Sequence, residues 1–385
     1  MKQLHITEYT FGWICALPEE FLAAQSFLDE DHGQPTFRLP RDTNSYWLGA
    51  IGKHNIVMAV LPRGDDGTAS AAAVATNLLR SFPNVKYGVM VGVGGGAPQL
   101  PDHDIRLGDV VVSSPGNGHS GVFQYDFGKY IQDKKYQYTR SLSQPPQALL
   151  TAMAGLQTYY EKNGNGLLEA VDEILKNQPG LRKKYGRPSP DTDVLFKSNV
   201  VHGDDPCAST CGMYPANTIP RPERERGIDD ECAIHYGTIA SGNSVMRDAV
   251  LRDRLAVGSK ALCFEMQAAG LMNIFPCLVV RGICNYADTH SSKEWRGYAA
   301  MVAAAYARDL IRYLAPELVS LGQNANSISD IQGAHVESSA VVTGSEPRRL
   351  GQGERVTQSW LVYRDSGAQQ IDISREDSNI LANRR

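Results

Sequence analysis

The sequence predicts an α/β fold, on two observations. Short, wholly apolar runs alternate with segments of helical periodicity, and glycines gather where the apolar runs end. In such a fold a ligand site is expected at the carboxyl ends of the strands.

The elements follow in order. Residues 9–17 (YTFGWICAL) read as a buried strand. Pro18 then opens a helix over about 19–28, because proline suits a first helical turn and Glu19 and Glu20 favour its positive end. Residues 46–51 and 55–61 flank Gly52-Lys53-His54 as a hairpin. After Gly67, the spacing of Ala71, Ala75, Leu78, Leu79 and Phe82 predicts a helix. Residues 87–93 form an apolar strand that runs directly into Gly94-Gly95-Gly96, and 109–113 form another. Leu149, Leu150, Met153, Leu156 and Tyr160 mark a further helix.

From about 163 to 230 the chain is rich in Pro, Lys, Arg and Asp with weak periodicity, the character of a long insertion. Order resumes with a strand at 234–240 and a helix over about 243–255. Residues 262–273 follow, then the apolar strand 275–284 and a last helix that places Trp295, Tyr298, Val302, Tyr306 and Leu310 on one face. Residues 322–385 are polar and predicted to be a low-order tail, leaving one domain over 1–321.

Composition excludes some classes of function. The 385 residues carry 38 Lys+Arg against 42 Asp+Glu, a net charge of −4, so bulk electrostatics would hold the chain neither to nucleic acid nor to an anionic membrane. No basic segment with an apolar core opens the chain. The most apolar stretch, 261–284, is interrupted by Glu265, Gln267, Asn273, Pro276 and Arg281. Seven scattered cysteines suit a reducing compartment better than a disulfide framework, so a cytoplasmic protein is expected.

Four segments concentrate chemistry, each at a predicted strand end. Ala16-Leu17-Pro18-Glu19-Glu20 offers a carboxylate able to take a proton from water or a sugar hydroxyl, although both glutamates equally suit the helix terminus. Gly92-Val93-Gly94-Gly95 lets backbone N–H groups approach a ligand. It matches neither the dinucleotide fingerprint nor a P-loop. Phe264-Glu265-Met266-Gln267 and Cys284-Asn285-Tyr286-Ala287-Asp288 place polar groups in apolar surroundings, where they must be bonded. Asp288 equally suits a helix cap. His202, Asp204, Cys207, Cys211, Cys232 and His235 could ligate zinc, but Cys-x3-Cys without a second pair fits structural zinc spacings poorly. Neither a metal site nor a cofactor is expected, and no hydrolase elbow Gly-x-Ser-x-Gly occurs.

Taken together, GWICALPEE, MVGVGGGAP…DIRLGDVVVS, QYDFGK, HYGTIASGNSVMRDAVLRDRL, CFEMQAAGLMNIFPCLVVRGICNYAD and YAAMVAAAYARDL, over about 9–315, resemble the nucleoside phosphorylase/nucleosidase superfamily. They look most like its fungal branch, often found as the N-terminal domain of larger regulatory proteins. The resemblance implies a central mixed, partly barrel-like sheet flanked by helices, a homo-oligomer, and cleavage of a nucleoside's N-glycosidic bond by water or phosphate. It also implies roles. Glu20 would activate water. Gly92, Val93, Gly94 and Gly95 would lie beneath the ribose and nucleophile. Ser241 would open a loop whose Val245 and Met246 wall the base. Met266 and Gln267 would lie under the ribose, with Phe264 and Glu265 also binding substrate, and Asn285 would face the purine N7.

Two residues depart from the superfamily's pattern, since Gln267 and Asn285 stand where carboxyls are usual. Asn285 can donate a hydrogen bond but cannot transfer a proton. The residues aligned with the phosphorylases' phosphate-binding Arg and Ser are Met90 and Val93, and Asp65 and Asp66 would repel phosphate, so hydrolysis is favoured. Restoring both carboxyls is expected to raise nucleosidase activity. Two alternatives stay open: a different carbocation-like or cyclisation reaction in a biosynthetic pathway, and a nucleoside-sensing module without turnover.

Overall fold

The computed structural model describes residues 4–116, 118–203, 211–212, 214–222, 224, 232–315, 360–362 and 369–371. Strand β1 (Phe11–Cys15) leads into helix α1 (Pro18–Ser26), and β2 (Glu30–Gly33), β3 (Ser45–Ile51) and β4 (His54–Val60) follow. Helix α2 (Thr68–Ser81) precedes the long strand β5 (Tyr87–Gly96), then come β6 (Val110–Ser113), β7 (Val122–Gln124) and the short pair β8 (Gly128–Lys129) and β9 (Gln137–Tyr138). After helices α3 (Gln147–Asn163), α4 (Leu167–Asn177) and α5 (Arg182–Tyr185) come β10 (Ile234–Ser241), α6 (Ala249–Ser259), β11 (Ala261–Glu265), α7 (Ala268–Leu271), β12 (Leu278–Asn285) and α8 (Arg296–Tyr313).

Five strands close on themselves. β5 pairs β12 in parallel, β12 pairs β6 antiparallel, β6 pairs β10 in parallel, and β10 pairs β11 in parallel. β11 then returns to β5 antiparallel, with Phe264 opposite Gly95 and Cys263 opposite Gly96. The sheet also continues outward from β5 through β1, β4, β3 and β2. This is the mixed, partly barrel-like α/β architecture that the motifs imply.

Side chains of β1 alternate between two apolar clusters. Phe11, Trp13 and Cys15 face one with residues of α1, α3, α4 and α8, while Ile14 faces the other with residues of α2 and α7. A strand covered on both faces is apolar throughout, which is why 9–17 lacks alternation. Helix α8 is buried well beyond the single face its periodicity predicts. Gly297–Ala307 is wholly buried, as befits a helix clad on several sides. The hairpin turns at Gly52, whose φ of 58° lies in the left-handed region.

Some boundaries differ from expectation. β5 runs on through Gly94–Gly96 because those glycines pair with β12 and β11. Helix α6 starts at Ala249 rather than 243, where Asn243 is engaged elsewhere and Asp248 accepts from Leu251 N at 2.9 Å as the N-cap. Within 163–230, α4 buries Leu167, Ala170, Val171 and Leu175, a helical stripe that the polar composition obscured. Most of the tail 322–385 lies outside the described residues. Trp360–Val362 there pairs antiparallel with Gln369–Ile371.

Asp109, at the foot of β6, fixes how the segment before β10 meets the barrel. Its carboxylate accepts from Arg224 Nη1 at 2.7 Å, His235 Nε2 at 2.9 Å, Ala233 N at 3.1 Å and Arg106 N at 2.8 Å. Burial alone would raise its pKa, but Arg224 and His235 pull it down to about 2. An unfolded aspartate titrates near ~3.9. The folded value is the lower, so Asp109 stabilises the fold above ~4 and loses that contribution as pH falls toward ~2. Asp109→Asn should therefore cost about 3 kcal/mol at neutral pH, by analogy with other broken buried pairs. Urea unfolding should also show a shallower loss of stability between ~4 and ~2 in the variant than in the parent protein.

Candidate functional site

The ends of β1, β5, β11 and β12 surround a cavity of about 210 Å3. Its lining includes Glu20, Val93, Gly94, Gly95, Val245, Met246, Phe264, Glu265, Met266, Gln267 and Asn285, which the sequence nominates from separate segments. Gly92 and Ser241, nominated with them, do not line it. Both act behind the wall.

Glu20 is 3% exposed and sits in the first turn of α1. Its Oε2 accepts from Ala16 N at 2.8 Å and Leu17 N at 2.9 Å, and its Oε1 accepts from Val93 N at 2.8 Å. The carboxylate thus satisfies otherwise orphan N–H groups at the helix start and ties α1 to β5. Burial lifts its pKa above the ordinary value, against the opposing pull of the Arg281 guanidinium and of the three backbone donors. A carboxylate raised in this way is a stronger base than an exposed one.

Gly92 explains how Glu20 fits. A Cβ there would stand 2.4 Å from Glu20 Oε1 and 2.6 Å from Arg281 Nη1, so only glycine leaves room for both. Arg281 itself was seen in the sequence only as an interruption of an apolar run. It lies in the middle of β12, fully buried, and its Nη2 donates to Glu265 Oε2 at 2.5 Å and to Gln267 Oε1 at 3.3 Å. Among the described residues its Nε and Nη1 have no hydrogen-bond partner. A charged residue inside an apolar strand was the signal that could have found it.

Glu265 serves this arginine and α7 together. Its carboxylate accepts from Gln267 N at 2.9 Å and Ala268 N at 3.1 Å, while Ser241 Oγ accepts from Ala269 N at 2.9 Å. Ser241 therefore orients α7 from beneath. Gln267 is engaged at both ends, because its Nε2 donates to the Asp66 carbonyl oxygen at 2.6 Å. Asp66, which the sequence sets against phosphate, joins the lining, as do Ala16, Leu17, Cys284 and Ala287 from the chemical segments; Ser244 and Arg296 line it without a role assigned by the sequence. The loop ahead of α2 is anchored again where Asn243 Oδ1 accepts from Thr68 N at 3.1 Å and Thr68 Oγ1 at 2.8 Å.

On the other side Asn285 makes a turn. Its Oδ1 accepts from Ala287 N at 2.8 Å, and Ala287 takes a φ of 51°. With the oxygen committed and one amide hydrogen donated to Cys284 Sγ at 3.3 Å, the second hydrogen of the NH2 remains for a ligand. Val245, 62% exposed, stands at the cavity mouth. Among the described residues no helix is long and apolar enough to cross a membrane.

No protein-family profile matches the chain. A nucleotide-binding leucine-rich repeat (NLR)-like protein of the fungus Hyaloscypha variabilis is 41% identical over 332 residues, covering 83% of this chain but 32% of that protein. The chain thus spans about a third of that relative's length. The 5'-methylthioadenosine/S-adenosylhomocysteine nucleosidase of Mycobacterium bovis is 23% identical over 310 residues, 79% of this chain and 96% of that one. Among solved structures, the nucleosidase of that name from Neisseria meningitidis, in complex with methylthio-immucillin-A, superposes with a TM-score of 0.50 at 14% identity, covering 79% and 99% of the two chains. Sheet closure, the order of the motifs and this likeness agree that the chain has the fold of the nucleoside phosphorylase/nucleosidase superfamily.

Proposed function

We propose that the cavity takes a purine nucleoside and hydrolyses its N-glycosidic bond. The observation that carries this reading is Glu20, a buried carboxylate with a raised pKa. It lines the cavity together with the Asn285 amide, with the Arg281 guanidinium close behind it across Gly92. Glycosidic cleavage builds positive charge on the sugar and negative charge on the departing base. The negative charge of Glu20 stabilises the oxocarbenium-like sugar, and Glu20 then takes the proton from the attacking water. Asn285 donates to the base as it leaves, and solvent supplies the proton.

Water is favoured over phosphate on electrostatic grounds. Glu20, Glu265 and Asp66 line the cavity against a single lining arginine, Arg296, and Arg281 is already paired with Glu265. Arg63 is not among the lining residues. The absent general acid slows turnover, an effect that typically costs ~10²–10⁴-fold. A second reading, nucleoside binding without turnover, has one observation in its favour: Gln267, which would grip the ribose, spends both its amide oxygen and its nitrogen on the protein.

Incubation with adenosine, inosine, guanosine and methylthioadenosine, with and without phosphate, should release free base independently of phosphate. Glu20→Gln should lower kcat by at least ~10²-fold with little change in nucleoside affinity. No release at high enzyme concentration, with binding intact by calorimetry, would leave the sensing reading in its place.

Because Glu20 acts ionised and its pKa is raised, kcat/KM should fall with decreasing pH at values above the ordinary carboxylate range, and Glu20→Gln should erase that limb. Asn285→Asp should add a second limb. Its rate should exceed the parent's by up to ~10²-fold at acid pH and decline as the new carboxyl ionises. Gln267→Glu should instead raise KM, because it sets a carboxylate oxygen against the Asp66 carbonyl where a 2.6 Å hydrogen bond now lies. The double restoration should therefore do no better than Asn285→Asp alone.

A further inference from the structure

Away from the cavity wall, three side chains from distant parts of the sequence converge. The ligand-capable atoms of His202, Cys211 and His290 all lie within 4.8 Å of one another, and Cys211 Sγ is 3.8 Å from His202 Nδ1. Zinc bound tetrahedrally at ~2.3 Å to sulfur and ~2.0–2.1 Å to nitrogen separates such donors by about 3.4–3.6 Å. Along the edge between His202 and Cys211 the cluster is therefore within a few tenths of an ångström of a coordination polyhedron. The other sequence candidates are placed elsewhere or not at all. Cys232 Sγ donates to Gly108 O, His235 binds Asp109, and Asp204 and Cys207 lie outside the described residues.

His290 supplies an independent pointer. Its side chain is 4% exposed, and among the described residues neither ring nitrogen has a hydrogen-bond partner, a costly state for a buried imidazole. The ring is fixed nonetheless, stacked on Phe196 with centroids 3.8 Å apart and planes at 11°. Asp288 Oδ2 lies 3.6 Å from His290 Nδ1, which leaves Nε2 as the nitrogen for a metal. A carboxylate behind a ligating histidine is the usual orienting arrangement. The other two donors are also held in place. His202 N donates to Thr289 Oγ1 at 2.8 Å, and Asn217 Nδ2 donates to Cys211 O at 3.1 Å.

We propose that His202 Nδ1, Cys211 Sγ and His290 Nε2 bind one zinc ion, with Asp288 orienting His290. Two imidazoles and a thiolate select a borderline-soft, tetrahedral cation of the zinc class over calcium or magnesium. Cys211 enters as the thiolate, so each Zn2+ bound releases the thiol proton. The fourth position goes to water or a further donor. The ion ties the segments around His202 and Cys211 to the turn after Asn285, so its role is positioning. The same turn is already gripped from that side by Arg221, which donates to Tyr286 Oη at 2.8 Å and to Asp193 Oδ2 at 2.9 Å.

The test uses the full chain and does not depend on its activity. Protein made in zinc-supplemented medium and desalted should carry about one zinc per chain by elemental analysis. Chelator-treated protein titrated with Co2+ should develop intense tetrahedral d–d bands and a thiolate-to-cobalt charge-transfer band. Cys211→Ser should abolish the charge-transfer band, and His290→Gln should sharply reduce bound zinc. Asp288→Asn, which keeps the backbone acceptor, should weaken zinc about 10–100-fold. Cys232→Ser should change neither metal content nor spectrum. The proposal is overturned if folded parent protein gives no charge-transfer band with Co2+, a result that needs no variant to fold. It is also overturned if folded Cys211→Ser or His290→Gln holds zinc as well as the parent.

Discussion

The arrangement of the site depends on the burial of one charge. Arg281 sits in the interior of β12, flanked by Val280 and Gly282, with no exposed surface. An unpaired guanidinium there would be prohibitive, so its neighbours are constrained to answer it. Glu265 comes from β11, and its other contacts then fix where α7 begins. Glu20 comes from α1, and β5 must offer glycine at 92 to admit both. Four elements converge on the end of the barrel because one side chain requires acidic company, and the cavity is the space they leave.

Seen from Arg281, the neutral residue at 267 and the acidic loop before α2 form a single feature. A glutamate at 267 would give the arginine a third nearby carboxylate and would meet the Asp66 carbonyl oxygen with like charge. The amide instead accepts from the arginine at one end and donates to that carbonyl at the other. It therefore acts as a strap between Arg281 and the loop, and the loop's Asp66 becomes part of the wall. Asn243, whose Oδ1 accepts from Thr68 N and Oγ1 while its own N–H donates to Asp126, holds the same loop from β10's side. What reads as a lost ribose ligand in the sequence is, in the fold, a loop anchor.

Much of this was legible in the residues. Apolar runs between glycines located β1, β4, β5, β10 and β12, because strands covered on both faces must be apolar. The four chemical segments could be named because polar groups in such runs require partners. Other features were set by tertiary pairing and could not be read locally. The glycines after Val93 look like a loop but are held as strand by partners from β11 and β12. Asn243 looks like the start of a helix, yet its side chain serves α2. The stripe of α4 was masked by charge on its outer face. Arg281 was visible but was counted as a break in hydrophobicity rather than as the centre of a network.

The placement of Asn285 shows how the sheet itself can shape chemistry. Pairing between β12 and β5 slips one residue between Ile283 and Asn285, which releases Cys284 and swings Asn285 toward the cavity. The chain then turns through Ala287, whose N–H binds the Asn285 oxygen. A carboxylate at 285 would feel that same N–H, which favours its ionised form and so opposes its use as an acid. An amide avoids the conflict: the N–H consumes the acceptor and leaves the donor, at every pH. In the proposed reaction, the turn therefore suits asparagine better than a carboxyl for holding a base, and worse for releasing one quickly. The exchange at 285 trades proton transfer for a donor that needs no titration.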